Sequence, residues 1–76
     1  MHIQILGPGC AKCSEAEKMV RAVVNDKGID ATVVKITDFQ EIAKLGVFST
    51  PAVVVDGEIK CVGRVPTIDE LQSWIA

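Results

Sequence analysis

The chain reads as one α/β domain with the element order β-α-β-α-β-β-α. Three patterns lead to that order. Short β-branched runs alternate with segments whose apolar residues recur every three or four positions. Glycine and proline mark the handovers between them. The last two extended runs are separated only by Asp56-Gly57, the pair that favours a tight hairpin.

His2 to Leu6 predicts the first strand, ended by Gly7-Pro8-Gly9. Cys10 to Lys27 predicts a helix whose buried face carries Ala16, Met19, Val20, Val23 and Val24. Glu15, Glu17, Lys18 and Arg21 fall largely on its other face, and Gly28 stops it. Ala31 to Ile36 predicts the second strand. Thr37 with Gln40, or Asp38 with Glu41, offers a capping box for a second helix carrying Phe39, Ile42, Ala43 and Leu45, which ends at Gly46. Pro51 to Val55 and Glu58 to Val62 predict the hairpin strands. Thr67 and Glu70 form a further capping box opening a last helix to Ile75, with Ile68, Leu71, Trp74 and Ile75 on its apolar face. A helix between the first two strands implies a right-handed parallel crossover, and the hairpin is antiparallel. The sheet is therefore four-stranded and mixed, with three helices. Residues 1–76 form one domain, with no linker, repeat or low-complexity stretch.

Apolar residues make up 49% of the 76 positions, enough for a small core. Only Phe39, Phe48 and Trp74 are aromatic, so Val, Ile, Leu and Ala must build most of it. The net charge is −2 and the cations are scattered, which leaves no basic stripe for nucleic acid. Met1 to Leu6 is too short for the apolar part of a signal peptide, and the longest apolar run, Pro51 to Val55, cannot cross a bilayer. The expectation is a cytoplasmic monomer without membrane or nucleic-acid partners.

The three cysteines are Cys10, Cys13 and Cys61. An odd count in a short chain of this kind argues against a disulfide scaffold. Cys10-Ala11-Lys12-Cys13 stands where the first strand hands over to the first helix. A thiolate is the attacking species in disulfide exchange, and a helix N-terminus stabilises it through unpaired N–H groups and the positive end of the helix dipole. Two intervening residues hold both sulfurs on one turn. Cys10 is expected at the open edge as nucleophile, and Cys13, one turn in, as the shielded resolving thiol. Gly9 beside Cys10 lets a partner's backbone come close. Lys12 adds a cation between the sulfurs, or is simply a solvated lysine. The same spacing also suits Cu(I) or zinc in a chaperone-type module. That reading calls for β-α-β-β-α-β ending on a strand, and for a Met where Pro8 stands.

The segment Gly46-Val47-Phe48-Ser49-Thr50-Pro51-Ala52-Val53-Val54-Val55-Asp56-Gly57-Glu58-Ile59 resembles the second signature of thioredoxins and glutaredoxins. With Cys10 and Cys13 the resemblance runs from the first strand to the chain's end. It is closest to the small thioredoxin-like redox-active disulfide proteins, also called glutaredoxin-like thioredoxins. It implies a minimal thioredoxin fold and a cis bond between Thr50 and Pro51. That proline would pack near the sulfurs, and the main chain of Thr50 would pair with an extended substrate segment. Gly63 resembles the family's glycine before the last helix and joins Gly9, Thr50 and Pro51 as substrate-binding. The activity implied is thiol–disulfide oxidoreduction on disulfide-containing proteins, with the Cys10–Cys13 disulfide as redox group and neither cofactor nor metal. A reductase of the thioredoxin-reductase type, using flavin or ferredoxin, restores the dithiol.

The chain departs from the larger families at several positions. Gly9 stands where a Trp precedes the first cysteine. Ala11-Lys12 is neither Gly-Pro nor Pro-Tyr. Gln4 occupies the place of a buried Asp and cannot take a proton. Arg64 follows Gly63 in place of a second glycine, so glutathione is not the expected reductant. Arg64 reads as a solvated loop cation, Cys61 as a small buried hydrophobe, His2 as exposed and idle, and Trp74 as core.

Overall fold

The computed structural model describes residues 1–9 and 11–75. Among them run β1 (His2–Leu6), α1 (Ala11–Lys27), β2 (Thr32–Ile36), α2 (Phe39–Lys44), β3 (Ala52–Val55), β4 (Glu58–Val62) and α3 (Ile68–Trp74). The sheet order is β2-β1-β3-β4. β1 pairs parallel with β2 and antiparallel with β3, and β3 pairs antiparallel with β4. This is the mixed four-stranded sheet of a minimal thioredoxin fold.

Side-chain alternation divides the core between the two faces of the sheet. On one face Ile3, Ile5, Val53, Val55 and Cys61 pack with Ala16, Val20 and Val23 of α1 and with Leu71 and Ile75 at the end of the chain. On the other, Leu6, Ala52 and Val54 pack with Ile42 of α2 and with Val47. The central β3 is buried along its whole length, which is why it reads as an unbroken apolar run. β4 carries an irregularity opposite Val53 and Val54, where the partner skips from Cys61 to Ile59.

Local chemistry explains the element ends. Asp56 and Gly57 both take positive φ, 50° and 81°, as the two-residue hairpin turn requires. Asp56 also ties the turn back to β1. Its carboxylate accepts from the His2 amide at 2.7 Å, and its own amide donates to the His2 carbonyl at 2.7 Å. Asp38 caps α2 by accepting from the Gln40 amide at 2.8 Å, while Glu41 lies 3.4 Å from Lys44. The cap is thus Asp38, without the Glu41 half of the expected box. Phe39, expected on the apolar face of α2, is 67% exposed, and Ala43 and Leu45 are exposed too. A helix of six residues turns only one side, that of Ile42, into the core. In α3 the apolar face holds Leu71 and, just past it, Ile75, but Ile68 in the first turn is exposed.

The capping box of α3 is complete. Thr67 Oγ1 accepts from the Glu70 amide at 3.1 Å, and the Glu70 carboxylate accepts from the Thr67 amide at 3.0 Å. Arg64, read from sequence as a solvated cation, is instead held by the same carboxylate through two bonds of 2.6 Å. The Arg64 guanidinium and then the Thr67 amide hold the Glu70 carboxyl at about 2, well below its ordinary 4.5. A depressed folded-state value means that this contribution to stability is fully present above the ordinary value and is lost as pH falls from there toward about 2. Thermal melts across that range should show the wild type losing stability with a steeper slope than Glu70→Gln. Equal slopes would mean that the pair contributes nothing to acid sensitivity.

Candidate functional site

The strand-to-helix handover and the loop before β3 meet at the C-terminal end of β1. Cys10 lies outside the described residues, between exposed Gly9, whose φ is 98°, and Ala11, the first described residue of α1. Cys13 sits in the first turn of α1 and is fully buried. The main chain of Gly7 decides where the Cys13 sulfur rests. A Cβ placed on Gly7 would overlap Cys13 Sγ and lie 2.9 Å from Cys13 Cβ. Gly7 is itself held by its amide, which donates to the Ile36 carbonyl at 2.9 Å. The end of β1 is therefore pinned to β2, and the first turn of α1 closes down on it where no side chain intervenes. From sequence Gly7 looked like part of a turn. The structure makes it the floor under Cys13.

The same point reaches the proline loop. The Cβ position on Gly7 lies 3.8 Å from Thr50 Cβ, so Thr50 stands against the region where Cys13 Sγ rests. The Thr50–Pro51 peptide bond is cis. Pro51 is buried, Thr50 is half-buried, and both precede the paired register of β3, which begins at Ala52. Gly63 leaves β4 with φ 78°, and its amide donates to the Pro51 carbonyl at 2.9 Å. A side chain on Gly63 would press on Ser49, 3.2 Å from that residue's Cβ. Contacts thus link Gly63, Ser49, Thr50, Pro51, Gly7 and Cys13 into one neighbourhood, in which Gly7, Cys13 and Pro51 are buried, with Gly9 on the loop leading to Cys10.

The remaining expected positions fall elsewhere. Cys61 packs with Val53 on the α1 side of the sheet, and its thiol points at the Arg64 carbonyl, 3.8 Å away. Burial pushes that thiol up from its ordinary value, with Arg64 partly opposing, so it stays protonated and poorly nucleophilic. His2 is exposed, and Trp74 is half-buried against the core. Gln4 lies in the middle of β1 opposite Val34 and Val54. Among the described residues no three His, Cys, Asp or Glu side chains gather as metal ligands. None of the described helices is long and apolar enough to cross a membrane.

Comparison with known proteins adds independent findings. The family model for the thioredoxin domain matches residues 1–76. A thioredoxin of Methanothermobacter thermautotrophicus is 43% identical over 76 residues, spanning 100% of this chain and 99% of the relative. A thioredoxin of Methanocaldococcus jannaschii is 43% identical over 71 residues, spanning 93% of this chain and 81% of the relative.

Proposed function

Because the chain belongs to the thioredoxin-domain family, we propose that it is a thiol–disulfide oxidoreductase that reduces disulfides in protein partners through Cys10 and Cys13. The observation that carries the reading is the convergence of Cys13, Gly7 and the Thr50–Pro51 loop at one end of the sheet.

The chemistry proceeds in two exchanges. Cys10 thiolate attacks one sulfur of the partner's disulfide; a Cys10–partner disulfide forms, the partner's own bond breaks, and the partner's other sulfur leaves as thiolate. Cys13 then gives its proton to water and attacks the Cys10 sulfur. The Cys10–Cys13 disulfide forms, and the second partner sulfur leaves. Two electrons have passed to the partner, which ends as a dithiol. Cys10 directly precedes Ala11, the first residue of α1, in the sequence, and the unpaired amides of a helix start favour the thiolate form. Gln4, where larger relatives carry a buried acid, has no proton to exchange, so water serves that step. The partner's segment lies along Thr50 as an added strand, with Gly9 and Gly63 leaving room for its backbone. The redox group is the cysteine pair itself, and no bound cofactor is required. A reductase of the thioredoxin-reductase type, in the cytoplasm, completes the cycle on a monomeric chain.

A count of accessible thiols tests this. Mild oxidation should remove two thiols of the three, leaving Cys61, and a dithiol should restore both. The reduced chain should in turn reduce a protein disulfide. A chain that keeps all its thiols under oxidant, or that holds stoichiometric Cu(I) against a competing chelator while reducing no disulfide, would overturn the reading. The order of elements already weighs against a metal-carrying module, since α3 follows the hairpin where that module ends on a strand.

A further inference from the structure

Two of the chain's three aromatic side chains lie outside the core. Phe48 is 85% exposed and Phe39 is 67% exposed. They stand over the same groove, floored by buried Ile42 and Val47 and completed by Ala43 and Thr50. Exposing two phenylalanines side by side in a chain so short of aromatics is unfavourable unless something covers them. The groove encloses about 250 Å³, below the roughly 300–1,000 Å³ of small-molecule sites. It is sized for a side chain or two.

Thr50 settles what that side chain belongs to. It is at once the groove's wall and the residue standing against the Cys13 sulfur. A peptide extended along Thr50 has side chains alternating to either side at strand spacing, so a residue beside its cysteine falls over the groove. We infer that the Phe39–Phe48 groove seats an apolar side chain flanking the partner's disulfide, and so selects partners whose reactive cysteine has aliphatic neighbours. The inference rests on the oxidoreductase reading for its substrate, and it adds the sequence preference. Burying one leucine there is worth roughly a ten- to hundredfold preference.

Two short peptides test it, each closed by one disulfide and equal in charge, with leucine beside the cysteines in one and serine in the other. The leucine peptide should be reduced with at least tenfold higher kcat/KM, expressed mainly in KM. In the Phe39→Ser/Phe48→Ser variant that ratio should collapse toward one. Both phenylalanines are surface residues, and a thermal melt confirms that the variant folds. Equal rates for the two peptides in the wild type, or a ratio that survives the double substitution, overturn the inference. If neither peptide is reduced, the oxidoreductase reading falls, and thioether-bridged versions of the same peptides decide the groove alone. Amide NMR shifts at Phe39, Ile42, Ala43, Val47 and Phe48 with the leucine peptide only support it, and no shifts there overturn it. Sedimentation showing a dimer that the double substitution abolishes also overturns it, since a second copy would then fill the groove.

Discussion

Cys13→Ser is expected to capture partner proteins from a cell extract as mixed disulfides, and Cys10→Ser to capture none. The asymmetry follows from the order of the two exchanges. With Cys13 gone, the Cys10–partner bond forms normally, but the thiol that would attack it is missing. The intermediate then lasts until an external thiol resolves it. With Cys10 gone, the remaining thiol of the pair is fully buried beneath the start of α1. A partner's disulfide cannot approach it in line. Cys61 does not substitute, because burial pushes its thiol up and it is packed into the core between the sheet and α1. The effect is all or none on a reducing-agent-free gel, and it is abolished by dithiol. Equal capture by both variants, or capture that persists only while Cys61 is present, would remove the assigned roles.

The parts of this molecule that were legible in sequence are those fixed by neighbours a few residues apart. β1 and β4 match their expected bounds, Asp56-Gly57 makes the turn its composition calls for, and Thr67 with Glu70 closes the box that its spacing signals. The cysteine spacing and the Thr50–Pro51 pair mark out a candidate site in sequence, and the structure sets Thr50 against the region of the Cys13 sulfur. Features set by packing between distant segments were not legible. Phe39 shares a helical face with Ile42 on paper, but α2 is too short to turn both inward, and the outcome depends on how the loop to β3 covers it. Arg64 and Glu70 are six apart, a spacing with no meaning on a helix or strand; the loop through Val65 and Pro66 brings them together. Gly7 is the clearest case. Its role depends on β1 ending under the first turn of α1, which the parallel crossover sets and no local pattern records.

That dependence makes Gly7→Ala the most damaging small substitution expected near the site. In an unconstrained strand end, replacing glycine by alanine gains about 0.4–1 kcal/mol by restricting the unfolded chain. Here the new methyl coincides with Cys13 Sγ and lies 2.9 Å from Cys13 Cβ. Rotating the sulfur away relieves the first overlap only. Cys13 Cβ is fixed by the helix, and Gly7 is fixed by its bond to Ile36, so strand or helix must give way. Overpacking of this kind costs about 1–3 kcal/mol, which outweighs the entropic gain. Function should suffer in a specific step. A displaced Cys13 sulfur reaches Cys10 late or at a poor angle, and misplacement by about an ångström costs on the order of a hundredfold. Gly7→Ala should therefore accumulate the mixed disulfide, in the manner of Cys13→Ser but less completely. A double-mutant cycle with Cys13→Ala isolates the cause. Without the sulfur, the cost of Gly7→Ala should shrink by about 0.5–3 kcal/mol, while the Cβ contact leaves a remainder. Additive costs, or a Gly7→Ala chain that melts and exchanges like the wild type, would mean that the Cys13 sulfur rests somewhere other than on the bare backbone of β1.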